Sequence, residues 1–353
     1  MRWMTGMAAL AVAACGAEST PDVSEAPVAP TASRAEFPVQ RCVNLANALN
    51  APVEGDWGYA ITQADLQTIA DGGFDTVRVL IDWHSHALQD APYTVDPERF
   101  ARIDEVIDQA FEADLNVIID MHSYTDLKDR PDFHAPRVLA IWRQIGERYQ
   151  DYPDSLIFEP VNEPIRKLSG EKWFALAEKL VNAIRETNPT RTIILGGDDW
   201  SSVEGLMRLR LPDDPYLVAT FHYYEPFDFT HQGASWFDNA PPVGTGFGAS
   251  HEIEAVQNDI ARARDWAARN RTPIFLGEFG PIRHGEMMDR ALWTQTVREA
   301  AEAGGMGWCY FDFTAGFDVY DGDVGDWIAP LHKALISTTD AEPVGGEARL
   351  RKD

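Results

Sequence analysis

The chain has 353 residues, 45% of them hydrophobic and 24% charged, and carries a formal net charge of −26. That length holds one large domain or two ordinary ones, and the composition is that of a soluble globular protein. The acidity argues against nucleic acid, anionic polysaccharide and acidic membrane surfaces as partners but is indifferent to a neutral polysaccharide; the 11 Trp and 17 Phe suit a sugar-binding cleft as well as a large core.

Arg2 and the apolar run from Met7 to Ala14 read as a processed leader, too short to span a bilayer. Val12-Ala13-Ala14-Cys15 resembles the lipobox of bacterial lipoproteins, which implies lipidation of Cys15; an ordinary secretory signal is the alternative. Both imply export, with membrane contact only through the lipid. Residues 16–37, rich in Pro, Ala, Ser and Glu, read as a linker, and 339–353 as a tail.

Between 38 and 338, strand-like runs alternate with amphipathic stretches. Strands are expected near Arg41–Leu45, Thr76–Ile81, Asn116–Met121, Leu156–Phe158, Thr192–Leu195, Leu217–Phe221, Ile274–Leu276 and Met306–Phe311. Thr62 with Asp65 forms a capping box, Asp96-Pro97 gives an N-cap and first-turn proline, and Ser169 and Ser250 are expected to open two more helices. Eight strands each followed by a helix predict a single (β/α)8 TIM barrel. A doubly wound open sheet is the runner-up, but no glycine-rich phosphate fingerprint follows the first strand. Cys42 and Cys309 then fall on neighbouring first and last strands, where bridging geometry is often poor, so two buried thiols are expected. The long interval 227–249, with His231 and Trp236, is a candidate cleft wall.

The chemistry concentrates at strand ends. Leu156-Ile157-Phe158-Glu159-Pro160-Val161-Asn162-Glu163-Pro164 is an apolar strand stopping in Asn-Glu-Pro, and Pro273 to Gly280 is another, ending in Glu278 between glycines. Each glutamate alone reads equally well as a turn cap. Together, on the fourth and seventh strands of a barrel, they face one cleft, as glycosidic bond cleavage requires. Arg78, at the inward parity between Val77 and Val79, is expected to pair with Glu278 and hold it ionised, the competing reading being an ion pair with Asp120 or another acid. His222 and Tyr224 share a face, the imidazole for Glu163 and the phenol for Glu278. His122 at the third strand tip and Asn162 are candidates for sugar hydroxyls. His84 and His86 form His-x-His, but no further His/Asp set stands at ligand spacing on later strand tips, so no catalytic metal is expected.

Asn-Glu-Pro, Gly-Glu-Phe-Gly, the arginine of strand two and His-x-Tyr of strand six together resemble glycoside hydrolase family 5, the retaining barrel enzymes that include cellulases and mannanases. The similarity runs from Arg41 to Leu335 and is close to bacterial endoglucanases of that family in Asn44 to Leu49, Glu54 to Gly58, His222 to Phe227 and Phe229 to Gly233. It implies Glu163 as acid/base, Glu278 as nucleophile, Arg78, His122, Asn162, His222 and Tyr224 around them, Asn47 among the substrate contacts, and no cofactor. Three positions depart from the family pattern: Ser123 where a second histidine is frequent, Phe311 where a tryptophan usually floors the sugar, and Asn50 where close relatives often carry glutamate. They spare the acid and the nucleophile and remove sugar contacts.

The expected protein is a monomeric retaining endo-β-1,4-glycanase, foremost an endo-β-1,4-glucanase. A β-mannanase or glucomannanase is the alternative within the class, and a catalytically weak tethered carbohydrate-binding protein the alternative outside it. Glu163 is expected to be protonated through a raised pKa and the carboxyl groups to lie about 5–5.5 Å apart. Trp57, Trp83, Trp200, Trp236 and Phe311 are the aromatics near strand tips, with Trp200, Trp236 and Phe311 carried as sugar contacts.

Overall fold

The computed structural model describes residues 37–336; the leader with Cys15, nearly all of the linker and the tail lie outside the described residues. Eight parallel strands close into a barrel in chain order: β1 (Arg41–Leu45), β2 (Thr76–Val79), β3 (Asn116–Asp120), β4 (Leu156–Glu159), β5 (Ile193–Gly196), β6 (Leu217–Tyr223), β7 (Ile274–Phe279) and β8 (Gly307–Tyr310). Around them run α1 (Gln63–Asp71), α2 (Pro97–Glu112), α3 (Thr125–Asp129), α4 (Pro131–Arg148), α5 (Glu171–Arg185), α6 (Val203–Arg208), α7 (Phe227–Thr230), α8 (Ser250–Asn270), α9 (Met287–Ala303) and α10 (Ala329–Leu335). A small hairpin, β9 (Tyr320–Asp321) with β10 (Asp326–Trp327), follows β8.

Local signals start the helices where the sequence has them. Thr62 and Asp65 close a reciprocal capping box on α1, and Asp96 caps α2 ahead of Pro97. One expected start moves. Ser169 does not cap α5: its hydroxyl donates to the Arg166 carbonyl at 2.9 Å, and the helix begins after Gly170, which turns through φ 53°. Ser250 opens α8 as expected, and the Glu252 carboxylate accepts from the N–H groups of Gly248 and Ala249.

Alternation along the strands sorts side chains into two cores. Outward residues, among them Val77, Val79, Val117, Ile119, Phe158 and Trp308, pack under the helices. Inward residues stack in layers. Cys42, Ile118, Ile157, Ile194, Val218, Phe275 and Cys309 form a dry layer toward the N-terminal mouth, with Phe37 edge-on to Phe275 at 5.4 Å. One inward step toward the C-terminal mouth the layer turns polar, with Asn44, Arg78, Asp120, Glu159 and Thr220 all buried.

The two buried thiols expected of Cys42 and Cys309 are a disulfide in the structure. The residues are direct partners in the β1–β8 register, Cα atoms 4.1 Å apart, and both side chains point into the same dry layer. Barrel closure thus brings together two cysteines 267 residues apart. Replacing both by alanine is expected to lower unfolding stability by roughly 2–5 kcal/mol, because the open chain regains the entropy of a long loop. Calorimetry with and without reductant checks this, and in the variant reductant is expected to change nothing.

Candidate active site

Three strand-end devices aim the functional groups. In β4 the inward parity of Ile157 continues through Glu159, and the chain leaves the strand through Pro160 to present Asn162 and Glu163 above it. In β6, His222 points inward with Thr220, and Tyr224 follows one step higher. β7 breaks alternation: Phe221 pairs with Leu276 but His222 with Glu278, leaving Gly277 as an extra, bulged residue. Strict alternation after inward Phe275 would send Glu278 outward; the bulge turns it into the barrel. Only glycine fits there, since a Cβ on Gly277 would lie 2.6 Å from Thr220 Oγ1 and 3.1 Å from His222 Nε2.

Arg78 joins these groups. Its Nε donates to Glu159 Oε2 (2.7 Å), one terminal nitrogen to Asn44 Oδ1 and Glu278 Oε1 (2.8 Å each), and the other to Glu159 Oε1 (2.9 Å) and Asn162 Oδ1 (2.7 Å), with Asp120 Oδ2 at 2.9 Å. All five N–H donors are engaged in a residue with no solvent exposure. The expected pairing with Glu278 and the competing one with Asp120 therefore both occur. By accepting from Arg78, the Asn162 carbonyl is fixed and its amide N–H groups are left to face the cleft. The Arg78 guanidinium is held in its charged form by Glu159, Asp120 and Glu278 against burial, whereas burial outweighs Arg78 at Glu159 and raises that carboxyl.

On the other side of Glu278, Tyr224 donates its hydroxyl to Oε2 at 3.0 Å. His222 Nδ1 lies 2.8 Å from Glu163 Oε1 and 3.6 Å from Glu278 Oε2. A carboxylate oxygen of each glutamate and an imidazole nitrogen of His222 fall within 4.8 Å of one another, so the two carboxyl groups converge closely, in the direction of a retaining pair rather than an inverting one. Among the described residues this is also the one trio of potential metal ligands. Arg78 already supplies the positive charge at that point. His84 and His86 go separate ways, to Asp82 and to the Pro52 carbonyl.

The proton balance corrects one expectation. Glu163 was expected to be raised; it is lowered, because the His222 hydrogen bond, with the charges of His222, Lys128 and His122, outweighs burial. His222 is correspondingly raised, burial being overcome by Glu278 and Glu163. The free site thus keeps one proton on the Glu163–His222 hydrogen bond, weighted toward the imidazole.

A family model, Cellulase (glycosyl hydrolase family 5), matches residues 36–316. The chain belongs to glycosyl hydrolase family 5. This family-5 chain is 32% identical over 258 residues to Endoglucanase H of Acetivibrio thermocellus, covering 73% of this chain and 28% of the relative, so it spans under a third of that protein's length. A solved structure described as an endoglucanase matches with TM-score 0.84 and 40% identity over 85% of this chain and 97% of that one. Thermotoga maritima Cel5A in complex with mannotriose matches at 0.83 with 37% identity, over 84% of this chain and 97% of that chain; its complex with cellobiose gives 0.83, 38% and the same coverage.

The family-5 cleft gathers most of the remaining expected residues at its rim. His122 is half-buried, its Nδ1 donating to Asp120 Oδ2 at 2.9 Å, so its Nε2 is the nitrogen left for substrate. Asn47, half-buried after β1, sits at φ 62°. Phe311, half-buried, donates its N–H to the Phe279 carbonyl and stands edge-on to Tyr224 at 6.4 Å. Trp200 and Trp236 are 49% and 56% exposed, available to stack, as is Trp57 at 51%. Trp83 is core: fully buried, with its indole N–H on the Asp120 carbonyl at 2.9 Å. In the loop 227–249, Gln232 ties Phe229 and Thr245 together through its amide, and His231 stacks on Phe227 at 4.3 Å, edge-on to Tyr224 at 4.9 Å. Burial drops His231 to about 4, so a neutral ring braces the phenol. Asn44 and Glu159 were missed as Arg78 ligands, although both stand at the inward parity of strands whose next inward residues are apolar. Lys128, beside Glu163, carried no sequence signal.

Arg78→Lys is expected to lower kcat/KM at least about a hundredfold and stability by about 3–5 kcal/mol, since an ammonium cannot replace five fixed donors among buried carboxylates. Steady-state kinetics and chemical denaturation read the two effects. With His222→Gln the shared proton must rest on the Glu163 carboxyl alone. The basic limb of the kcat/KM profile, set in the parent by the raised imidazole, is then expected to move to lower pH.

Proposed function

We propose that this family-5 chain is a retaining endo-β-1,4-glucanase acting on neutral β-glucan. The observation that carries the proposal is the short Glu163–Glu278 separation, one carboxylate held by Arg78 and Tyr224 and the other by His222. Glu278, paired with Arg78, attacks the anomeric carbon and forms a glycosyl ester as the bond to the leaving oxygen breaks. Glu163 delivers its proton to that oxygen; a sugar covering the site excludes water and moves the shared proton from His222 onto the carboxyl. Glu163 then takes a proton from an incoming water, whose oxygen bonds to the anomeric carbon and frees Glu278 with net retention. The Asn162 amide is placed to donate to the sugar 2-hydroxyl, and His122 to another hydroxyl. The names of the relatives, endoglucanases among them, support the β-1,4-glucan assignment.

A second reading, activity on glucomannan or mannan, is favoured by one neighbour, Thermotoga maritima Cel5A, which has been solved with both mannotriose and cellobiose. Reducing-end release from carboxymethylcellulose, lichenan, glucomannan and mannan ranks the two. Proton NMR of the first-formed anomer on cellotetraose is expected to show β product. Glu278→Ala is expected to lose at least about a thousandfold in kcat, with Glu163→Ala losing less on substrates whose leaving group departs unaided. An α first product would overturn the retaining mechanism.

The leader reading stands beside this as a proposal: Cys15 is lipidated and the exported chain is tethered to a membrane. Radiolabelled palmitate incorporation, lost in Cys15→Ser, is the expected result; a secreted, unlabelled chain would reverse it.

A further inference from the structure

We propose that Asn44 is a positioning residue for the nucleophile: it spans the gap that the β7 bulge opens in the barrel wall and fixes the guanidinium nitrogen that meets Glu278. The inference rests on the reading of Glu278 as nucleophile and assigns what holds that carboxylate in place.

Asn44 is the direct register partner of Arg78 across β1 and β2, and it lies one residue beyond the last β1–β8 pair, Val43 with Tyr310. Alternation puts its side chain inside the barrel, one inward step above Cys42. It has no solvent exposure, so it does not touch substrate. On the far side of β8 the β7–β8 ladder is interrupted. Leu276 pairs with Trp308 and Phe279 with Tyr310, so Gly277 and Glu278 together face Cys309 alone. A bulge disrupts the ladder locally, and a buried main-chain carbonyl left without a donor is costly.

The Asn44 amide supplies donors at that gap. Its Nδ2 lies 3.2 Å from the Gly277 carbonyl, 3.2 Å from that of Tyr310 and 3.4 Å from that of Cys309, two N–H groups shared among three acceptors. Its Oδ1 accepts from a terminal nitrogen of Arg78 at 2.8 Å, and that same nitrogen donates to Glu278 Oε1 at 2.8 Å. Carbonyls only accept and a guanidinium only donates, so the position calls for a group that donates on one side and accepts on the other.

Two handles on Glu278 therefore pass through one side chain. The peptide carbonyl immediately before Glu278 is tied to Asn44, which sets the backbone from which the carboxylate projects. The cation against Oε1 is tied to Asn44 as well, which sets where that oxygen points. Attack on an anomeric carbon is sensitive to such placement, a shift of about 1 Å costing on the order of a hundredfold.

The test isolates the attack step. 2,4-Dinitrophenyl 2-deoxy-2-fluoro-β-cellobioside passes its sugar to the nucleophile and releases a phenolate that needs no proton. The limiting rate of inactivation therefore reports attack alone, and intact mass with peptide mapping places the label. Asn44→Asp keeps the shape and the acceptor but sets a carboxylate against three carbonyls; Asn44→Leu keeps the volume and removes both functions. Each is expected to lower the limiting rate at least about tenfold, with the half-saturating concentration within about twofold and the basic limb of the cellotetraose pH profile in place. Asn44→Ser, with one donor and one acceptor, is expected to fall between them and the parent, and it carries the test where the other two do not fold. The same substitutions added to Glu278→Ala are expected to leave azide-supported release of phenolate from 2,4-dinitrophenyl β-cellobioside within about twofold, because the azide then forms the bond to the anomeric carbon as the phenolate leaves. An unchanged limiting rate, a loss carried by the half-saturating concentration, a displaced basic limb, or an equal loss in the Glu278→Ala background would each overturn the proposal. A parent chain labelled elsewhere than at Glu278, or not at all, is a separate result, which removes the nucleophile reading and this inference with it.

Discussion

A single buried guanidinium governs this barrel's chemistry. Arg78 sits where the interior passes from dry to polar, and its five N–H groups end on side chains from three strands: Asn44 from β1, Glu159 (twice) and Asn162 from β4 and its exit, and Glu278 from β7. A charge without water is tolerable only when every donor finds an acceptor. That condition fixes the positions of the acceptors, and two of them, Glu278 and Asn162, are the groups that the proposed mechanism uses to attack and to orient the sugar. Stability and reactivity are here the same set of contacts.

The proton is arranged differently. Glu278 accepts from a cation and a phenol on separate oxygens. Glu163 shares a proton with His222, and in the empty site the imidazole is the favoured holder. In the proposed mechanism it is water exclusion by the substrate, rather than a permanently raised carboxyl, that moves the proton to the leaving oxygen. The bulge at Gly277 makes this geometry possible, because it turns Glu278 inward and leaves room beside His222 that any side chain would fill.

The rim shows how the cleft is walled despite the departures from the family pattern. Phe311 occupies the floor position with an apolar ring packed edge-on to Tyr224 and to Phe317, at 6.4 and 5.4 Å. Gly280 allows this, since a Cβ there would meet the Phe311 carbonyl at 1.9 Å. Asn50 is buried with its Oδ1 lacking a partner among the described residues, and Ser123 is half-buried, so neither substitutes directly for the larger polar groups the family often has. Exposed aromatic rings at Trp57, Trp200 and Trp236 suit an uncharged polymer.

Much of this was legible in the linear chain. Period-two alternation placed Arg78 inward and Val77 and Val79 outward, strand-tip motifs located Asn162, Glu163, His222, Tyr224 and Glu278, and capping residues started α1 and α2, because these depend on a few adjacent residues. Ser169 does not cap α5, since a cap depends on which acceptor the folded neighbourhood supplies. What tertiary structure alone decided was everything requiring distant residues to meet: the disulfide between Cys42 and Cys309, the three carboxylates around one arginine, the lowered Glu163 and the buried Trp83. Sequence determines which face a side chain takes, because backbone periodicity is local; its partners and its proton affinity are set by closure of the barrel, because charge and solvent act through space.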